Sequence, residues 1–313
     1  MPKKSSPPPL LQCDRLKFAA KIDYVTVPVG RKPGVPPLFD GTAKLIKPKF
    51  RDGMWMLTLH DPTRMDIVRM VETYDNPMVM ELEVAVDLSP KDSLTTEDRS
   101  ALLEETFKAV AGRLRPEDAT LWSYGSRGGV NAVGSPVMPL ERRQAHPGEQ
   151  VIYGNRGSFM QAKLYLKTTD QGADLPPSEH VVRMEVRLRR GACMDERLAL
   201  DRLQDLLGYE YRATFTKHFR IILEPALRNP GRLSAEESRK REKKMLTAWA
   251  TAGVAKFPAD DDQREDTTIL DLNMIQRRRR TQLPLGHYKL MRDQVANAKI
   301  GSALMNLQRR MRG

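Results

Sequence analysis

The chain reads as an α+β protein: a central antiparallel β-sheet with helices on one face, followed by a helical, basic C-terminal region. Three observations predict this. Segments of strand character crowd the stretch from residue 21 to residue 190. Only two helical segments interrupt them, at about 61–74 and 96–114. Beyond residue 191 the pattern turns helical and the charge turns basic.

In chain order, residues 1–14 (from MPKKSSPPPLL) are rich in Pro, Ser and Lys, and a disordered N-terminal segment is expected over 1–20. KIDYVTVPVG (21–30) is a strand carried by Tyr24, Val25 and Val27. RKPGVPPLFDG (31–41) is a Pro/Gly loop. Residues 42–60 hold one or two strands, MWMLTLH (54–60) being the clearer. Asp61-Pro62 then offers an N-cap acceptor followed by proline at the first helical position. That helix runs to about Tyr74 on an apolar stripe of Ile67, Val68 and Val71.

PMVMELEVAVDLS (77–89) alternates: Leu82, Val84 and Val86 point one way, and Glu81, Glu83, Ala85 and Asp87 the other. Its acids either face solvent, as one side of an antiparallel sheet often does, or lie under a cation or positive side chains. Thr95-Thr96-Glu97-Asp98 opens a second helix, 96–114, with Leu103, Phe107, Val110 and Leu114 facing the core. Residues 120–149 begin as a strand and become a long Gly/Pro/Arg-rich loop, in which Arg127, Arg142 and Arg143 are within reach of a phosphate backbone.

Residues 151–190 are expected to supply three strands, with a flexible linker at 168–178. A helix follows at Asp195–Leu207, with Leu198, Leu203, Leu206 and Leu207 apolar. Residues 209–227 are ambiguous between strand and helix. Ser234 and Glu237 form a capping box for a basic helix ending near 249–254. An acidic linker occupies 256–266, and a last helix is expected at about 289–311. The domains are drawn at 21–230, a catalytic domain, and 231–313, a helical, basic region for DNA binding or a tail.

The net charge is +12, with 52 Lys and Arg among 313 residues. Residues 277–313 hold ten Lys and Arg against the single Asp293. Such a balance favours a polyanionic partner, nucleic acid before an anionic membrane. The run Arg277, Arg278, Arg279 and Arg280 suits sequence-independent phosphate contact. Two distant cysteines, Cys13 and Cys193, exclude a disulfide scaffold or zinc knuckle and fit a reducing cytoplasm. No apolar run reaches the roughly 18 residues of a membrane span. Walker and GxSxG motifs are absent, and the five histidines never fall as HxH or HExxH. The latter excludes a zincin and the His-hydrophobic-His metal site of the HUH endonucleases, so a nickase here would need carboxylates for its metal.

The chemistry-bearing stretch is 151–190. Tyr165 stands two residues before Lys167, and Glu185 lies between Arg183 and Arg187. A tyrosine, a lysine and a carboxylate on neighbouring strands can act on a phosphodiester. The plainer alternatives are a Tyr165 hydroxyl at the sheet surface and an ion-pair ladder around Glu185. Arg183, Arg187, Arg189 and Arg190 would suit a phosphate track.

Three blocks taken together, LEVAVD (82–87), VIYGNRGSFMQAKLYLK (151–167) and HVVRMEVRLRR (180–190), resemble the Rep-trans family of rolling-circle replication initiators of plasmids and filamentous phages. The blocks occur in the family's order, and the resemblance covers about 20–230. The chain departs from the family at Tyr153–Ser158, where many members read Y-x-G-S-R, and at Lys163-Leu164-Tyr165, where many have Arg before the tyrosine.

The resemblance implies that Tyr165 is the nucleophile, attacking one DNA strand to leave a 5′-phosphotyrosyl link and a free 3′-OH. Tyr153 is the competing nucleophile. It further implies that Glu83 and Glu185, with Asp87 a weaker candidate, hold one Mg²⁺ or Mn²⁺. Lys167, or the metal, would favour the phenolate. His60 and Asp61 are placed near the site by position alone. Dimerisation and recruitment of a host superfamily-1 helicase are likewise implied by the resemblance alone. The rival readings are a conjugative relaxase with the same chemistry and a DNA-binding regulator that kept the fold and lost the chemistry. An RNA-binding protein is a distant third, because no RNP-like aromatic strand is visible.

Overall fold

Most of the strands belong to one antiparallel sheet. In the computed structural model, which describes residues 6–30, 41–51, 53–91, 94–114, 119–123, 135–139, 143–153, 160–170, 173–190, 200–257, 283 and 287–313, they run in chain order as follows. They are β1 (Leu16–Val29), β2 (Lys44–Arg51), β3 (Met54–His60), β4 (Glu81–Pro90), β5 (Ala119–Ser123), β6 (Ser135–Pro139), β7 (Glu149–Tyr153) and β8 (Met160–Lys167). A two-residue hairpin, β9 (Thr169–Asp170) and β10 (Ala173–Asp174), precedes β11 (Val181–Arg189). Among the described residues the main sheet has nine strands in the order β2-β3-β1-β4-β11-β8-β7-β5-β6.

The α-helices of the described residues are α1 (Arg64–Thr73), α2 (Thr96–Arg113), α3 (Tyr211–His218), α4 (Ala235–Ala252) and α5 (Gln294–Arg312). Alternation decides what they cover. Leu82, Val84, Val86 and Leu88 of β4, Val182, Met184, Val186 and Leu188 of β11, and Ala162 and Leu164 of β8 are buried on one face. The helix α2 packs against these three strands, and α5 against β1 and β4. The stripe expected on α2 holds: Leu103, Phe107, Val110 and the C-cap Leu114 are all buried. Ile300, Leu304, Leu307 and Met311 of α5 join the same core, and Arg310 Nη2 donates to Ala20 O at 2.6 Å. The basic last helix is thus seated on the sheet.

A smaller cluster lies beside the main core. There β12 (Ile222–Leu227) pairs with β13 (Tyr288–Arg292), and Trp249 of α4, Phe257 and Tyr288 meet edge to face. No helix among the described residues is long and apolar enough to cross a membrane.

Several local expectations change. Residues 16–20, drawn in a disordered segment, form the start of β1, and Leu11, Cys13 and Leu16 are buried. Residues 16–20 pair with β4, and the Pro-rich segment before them is tied down by Arg113, whose guanidinium, buried at the end of α2, donates to Pro9 O at 2.7 Å and Pro8 O at 2.9 Å. The guanidinium also donates to Ile222 O at 3.1 Å and to Leu223 O.

The first helix is capped by Thr63, not Asp61. Asp61 has a φ of +47°, outside the extended region an N-cap needs, and its carboxylate pairs with Lys21. Leu203–Leu207 is a 3-10 turn rather than the end of a helix; Asp195 and Leu198 lie outside the described residues. The ambiguous stretch 209–227 is both, α3 and then β12. The last helix begins at Gln294, because residues 288–292 pair with β12 instead. Ser234 and Glu237 do form the capping box of α4. Cys193, Arg127, Arg142, Arg277–Arg280 and residues 154–159 lie outside the described residues.

Candidate active site

The face of the sheet opposite α2 and α5 is polar, and the register of β4 with β11 explains its order. Arg183 pairs opposite Asp87, Arg187 opposite Glu83 and Arg189 opposite Glu81. Opposite-charge cross-strand pairs stabilise an antiparallel ladder. At the one position where β11 carries an acid, Glu185, β4 carries Ala85. Glu185 therefore finds its cation on the other side, in Lys163 of β8, its direct register partner.

The acids of β4 are not a solvated outer face. Glu83, Glu185 and Arg183 are only 2%, 2% and 3% exposed. Arg183 grips Asp87 bidentately, at 2.6 and 2.7 Å, and reaches Asp23 at 2.7 Å. Arg187 Nε lies 2.9 Å from Glu83 Oε2 and 3.1 Å from Glu81 Oε1. Burial alone would lower the pKa of both arginines; their carboxylate partners more than reverse that. These two side chains are counter-ions within the face, while Arg189 sits further out, 3.9 Å from Glu81. Arg190 pairs with Asp201 at 2.8 Å.

Asp23 is the residue the sequence reading missed. Pairing between β1 and β4 shifts register between Ile22 and Tyr24, so a bulge falls at Asp23. The signal was available: apolar positions run 16, 18, 20 and 22, then 25, 27 and 29, all but the half-buried Phe18 fully buried. That change of phase puts Asp23 and Tyr24 together on the polar face. Tyr24 donates to Glu81 Oε1 at 2.9 Å.

The centre of this face is Tyr165. Its hydroxyl donates a short hydrogen bond to Glu185 Oε1. Lys163 Nζ bridges Glu185 Oε2 at 2.9 Å and Glu83 Oε2 at 3.0 Å. Carboxylate oxygens of Asp23, Glu83 and Glu185 lie within 4.8 Å of one another, a donor set that fits a hard cation. Asp87, whose two oxygens are held by Arg183, is not among them. Burial, then the charge of Glu185, raises Tyr165 well above the usual phenol range, so in this arrangement it keeps its proton. Burial and Glu185 likewise push Glu83 up, against the pull of Lys163 and Arg187.

Tyr153 is on the other face. On β7 it pairs opposite Ala162 of β8, packs edge to face on Phe219, and its hydroxyl is buried without a partner. Lys167 shares the face of Tyr165, but its ammonium pairs with Asp170 at 2.9 Å. It lines a cleft of about 250 Å³ with Asp23, Thr42, Ala43, Lys44, His60, Asp61 and Asp170. His60 and Asp61 thus share this cleft with Asp23. Arg143 is bound to Glu149 at 2.8 Å.

No protein-family model matches the chain, and no curated protein matches it. Among solved structures it is similar to that of a rolling-circle replication initiator protein from Geobacillus stearothermophilus. That match is at 14% identity over 75% of this chain and 99% of that one, with a TM-score of 0.33.

Proposed function

We propose that this chain initiates rolling-circle DNA replication by binding an origin and nicking one strand with Tyr165. The observation that carries the reading is the Tyr165 hydroxyl bonded to Glu185, beside Glu83 and Asp23, on the buried polar face of the sheet.

The phenol oxygen attacks the phosphorus, its proton passing to Glu185 Oε1, the acceptor it already has. The P–O3′ bond breaks, the O3′ takes a proton from solvent, and a 5′-phosphotyrosyl link remains. A Mg²⁺ or Mn²⁺ ion held by Glu83, Glu185 and Asp23 would polarise the phosphate and stabilise the leaving oxygen. Lys167, at the cleft, is the cation that meets the phosphate when it exchanges Asp170 for DNA. Arg183 and Arg187 hold the carboxylates in register, and Arg189 with Arg277–Arg280 tracks the backbone. Nicking belongs to 21–230 and origin binding to the basic region 231–313, with function as a cytoplasmic dimer that recruits a host helicase.

The test mixes the purified protein, Mn²⁺ and supercoiled DNA carrying its own coding region. Wild type and Tyr153→Phe are expected to nick and to leave protein on the 5′ end; Tyr165→Phe is expected to bind and not to nick. Tight, salt-sensitive binding with no nicking by any form would replace this reading with that of a regulator. A conjugative relaxase would behave identically in this assay and differs in genetic context.

A further inference from the structure

Lys163 stands where two roles meet. Its ammonium contacts Glu83 Oε2 at 3.0 Å and Glu185 Oε2 at 2.9 Å, and its side chain is only 14% exposed. These are two of the three carboxylates, with Asp23, whose oxygens lie within 4.8 Å of one another. Glu83 and Glu185 are not register partners: Glu185 faces Ala85, and Glu83 faces Arg187. Two buried carboxylates this close repel, and Lys163 is the one cation among the described residues bonded to both. It does for the pair what a divalent ion would do. A metal bound to the same two oxygens, at about 2.1 Å from each, would bring two positive charges into contact in a buried place.

We propose that Lys163 is a built-in competitor of the metal: it holds Glu83 and Glu185 together in the metal-free protein and must leave them before a divalent cation binds. This rests on the reading of the triad as the metal centre of a nicking site. Lys163 is thus a positioning residue. It keeps the acids assembled before loading, weakens metal binding, and is released by loading onto the face that carries Tyr165, two residues along β8.

The test is Mn²⁺ binding, followed by calorimetry and by the electron paramagnetic resonance signal of free Mn²⁺. Lys163→Met, which removes the charge and keeps the length, is expected to bind Mn²⁺ at least about tenfold more tightly than wild type, since affinity follows ligand-shell charge. Lys163→Arg is expected to stay close to wild type, and Glu185→Gln to lose binding. In chelator, Lys163→Met should melt below wild type, and Mn²⁺ should restore it. Should Lys163→Met fail to fold, acetylation of wild-type lysines read by mass spectrometry gives the same answer: Mn²⁺ should raise labelling of Lys163 several-fold. Equal Mn²⁺ affinity in wild type and Lys163→Met, or labelling of Lys163 unchanged by Mn²⁺, overturns the competitor role and leaves the nicking reading standing. Absence of Mn²⁺ binding in every form overturns both.

Discussion

At the scale of the residue, two tyrosines only twelve positions apart have opposite fates because they sit on opposite faces of adjacent strands. Tyr165 shares its face with Lys163 and lies opposite Arg183, whereas Tyr153 lies opposite Ala162 in the apolar core. A buried hydroxyl without a partner costs free energy, which a phenyl ring avoids. Tyr153→Phe is therefore expected to leave the proposed nicking unchanged and to stabilise the fold by about 1 kcal/mol, as read from urea unfolding. A loss of stability would mean that the hydroxyl has a partner. At Arg183, deleting the side chain strands Asp87 without its cation and takes one of two cations from Asp23. Arg183→Ala is expected to cost about 3–5 kcal/mol of stability, with the loss visible in thermal melts.

At the scale of the element, caps and close approaches decide how the helices join the sheet. Asp66 of α1, almost fully buried, accepts from Thr63 N at 2.8 Å, Thr42 N at 2.7 Å and Ala43 N at 3.1 Å, so one carboxylate caps the helix and fastens the residues leading into β2. Burial would raise its pKa, but these hydrogen bonds outweigh that and hold it below the ordinary 3.8. The contribution of a carboxylate depressed in this way is complete above its unfolded pKa and lost as pH falls through its folded one. Asp66→Asn is expected to destabilise by about 2 kcal/mol at neutral pH, and the gap from wild type should narrow below pH ~4 in unfolding measured across pH.

The end of α4 gives a second case. Gly253 has a φ of +61°, and a Cβ there would meet the Gly112 carbonyl oxygen of α2 at 2.0 Å. Backbone cannot give way as a side chain tip can, so Gly253→Ala is expected to cost about 3 kcal/mol or more, checked by the midpoint of thermal unfolding.

At the scale of the whole molecule, charge and core are interleaved. The basic surplus of residues 277–313 flanks and includes α5, a helix that buries Ile300, Leu304 and Leu307 against the sheet. Any DNA held by α5 is consequently held by a helix packed on the sheet that carries Tyr165. Replacing Arg277, Arg278, Arg279 and Arg280 by Gln is expected to weaken binding to all duplex sequences alike. If all four meet phosphates, the slope of log K against log salt should fall by about 3–4, measured by fluorescence anisotropy over a salt series. An unchanged slope would remove them from the interface.

The resemblance to known initiators singled out Tyr165, Glu83 and Glu185 as candidates. The sequence by itself determined the alternation of β4, β8 and β11, the apolar stripe of α2 and the capping box of α4. These follow from periodicities of two and 3.6 and from local hydrogen bonding, which each segment carries in its own residues. It also held the phase change that marks the bulge at Asp23, legible once the apolar positions of β1 are counted on both sides. Only the tertiary structure decided which strands are neighbours. That choice set Lys163 rather than Lys167 against Glu185, turned Arg183 and Arg187 inward as counter-ions, sent Tyr153 into the core, and drew residues 16–20 and α5 into one sheet-and-helix body. Strand order depends on contacts far apart in the chain, and a charged side chain takes the nearest opposite charge that folding brings to it.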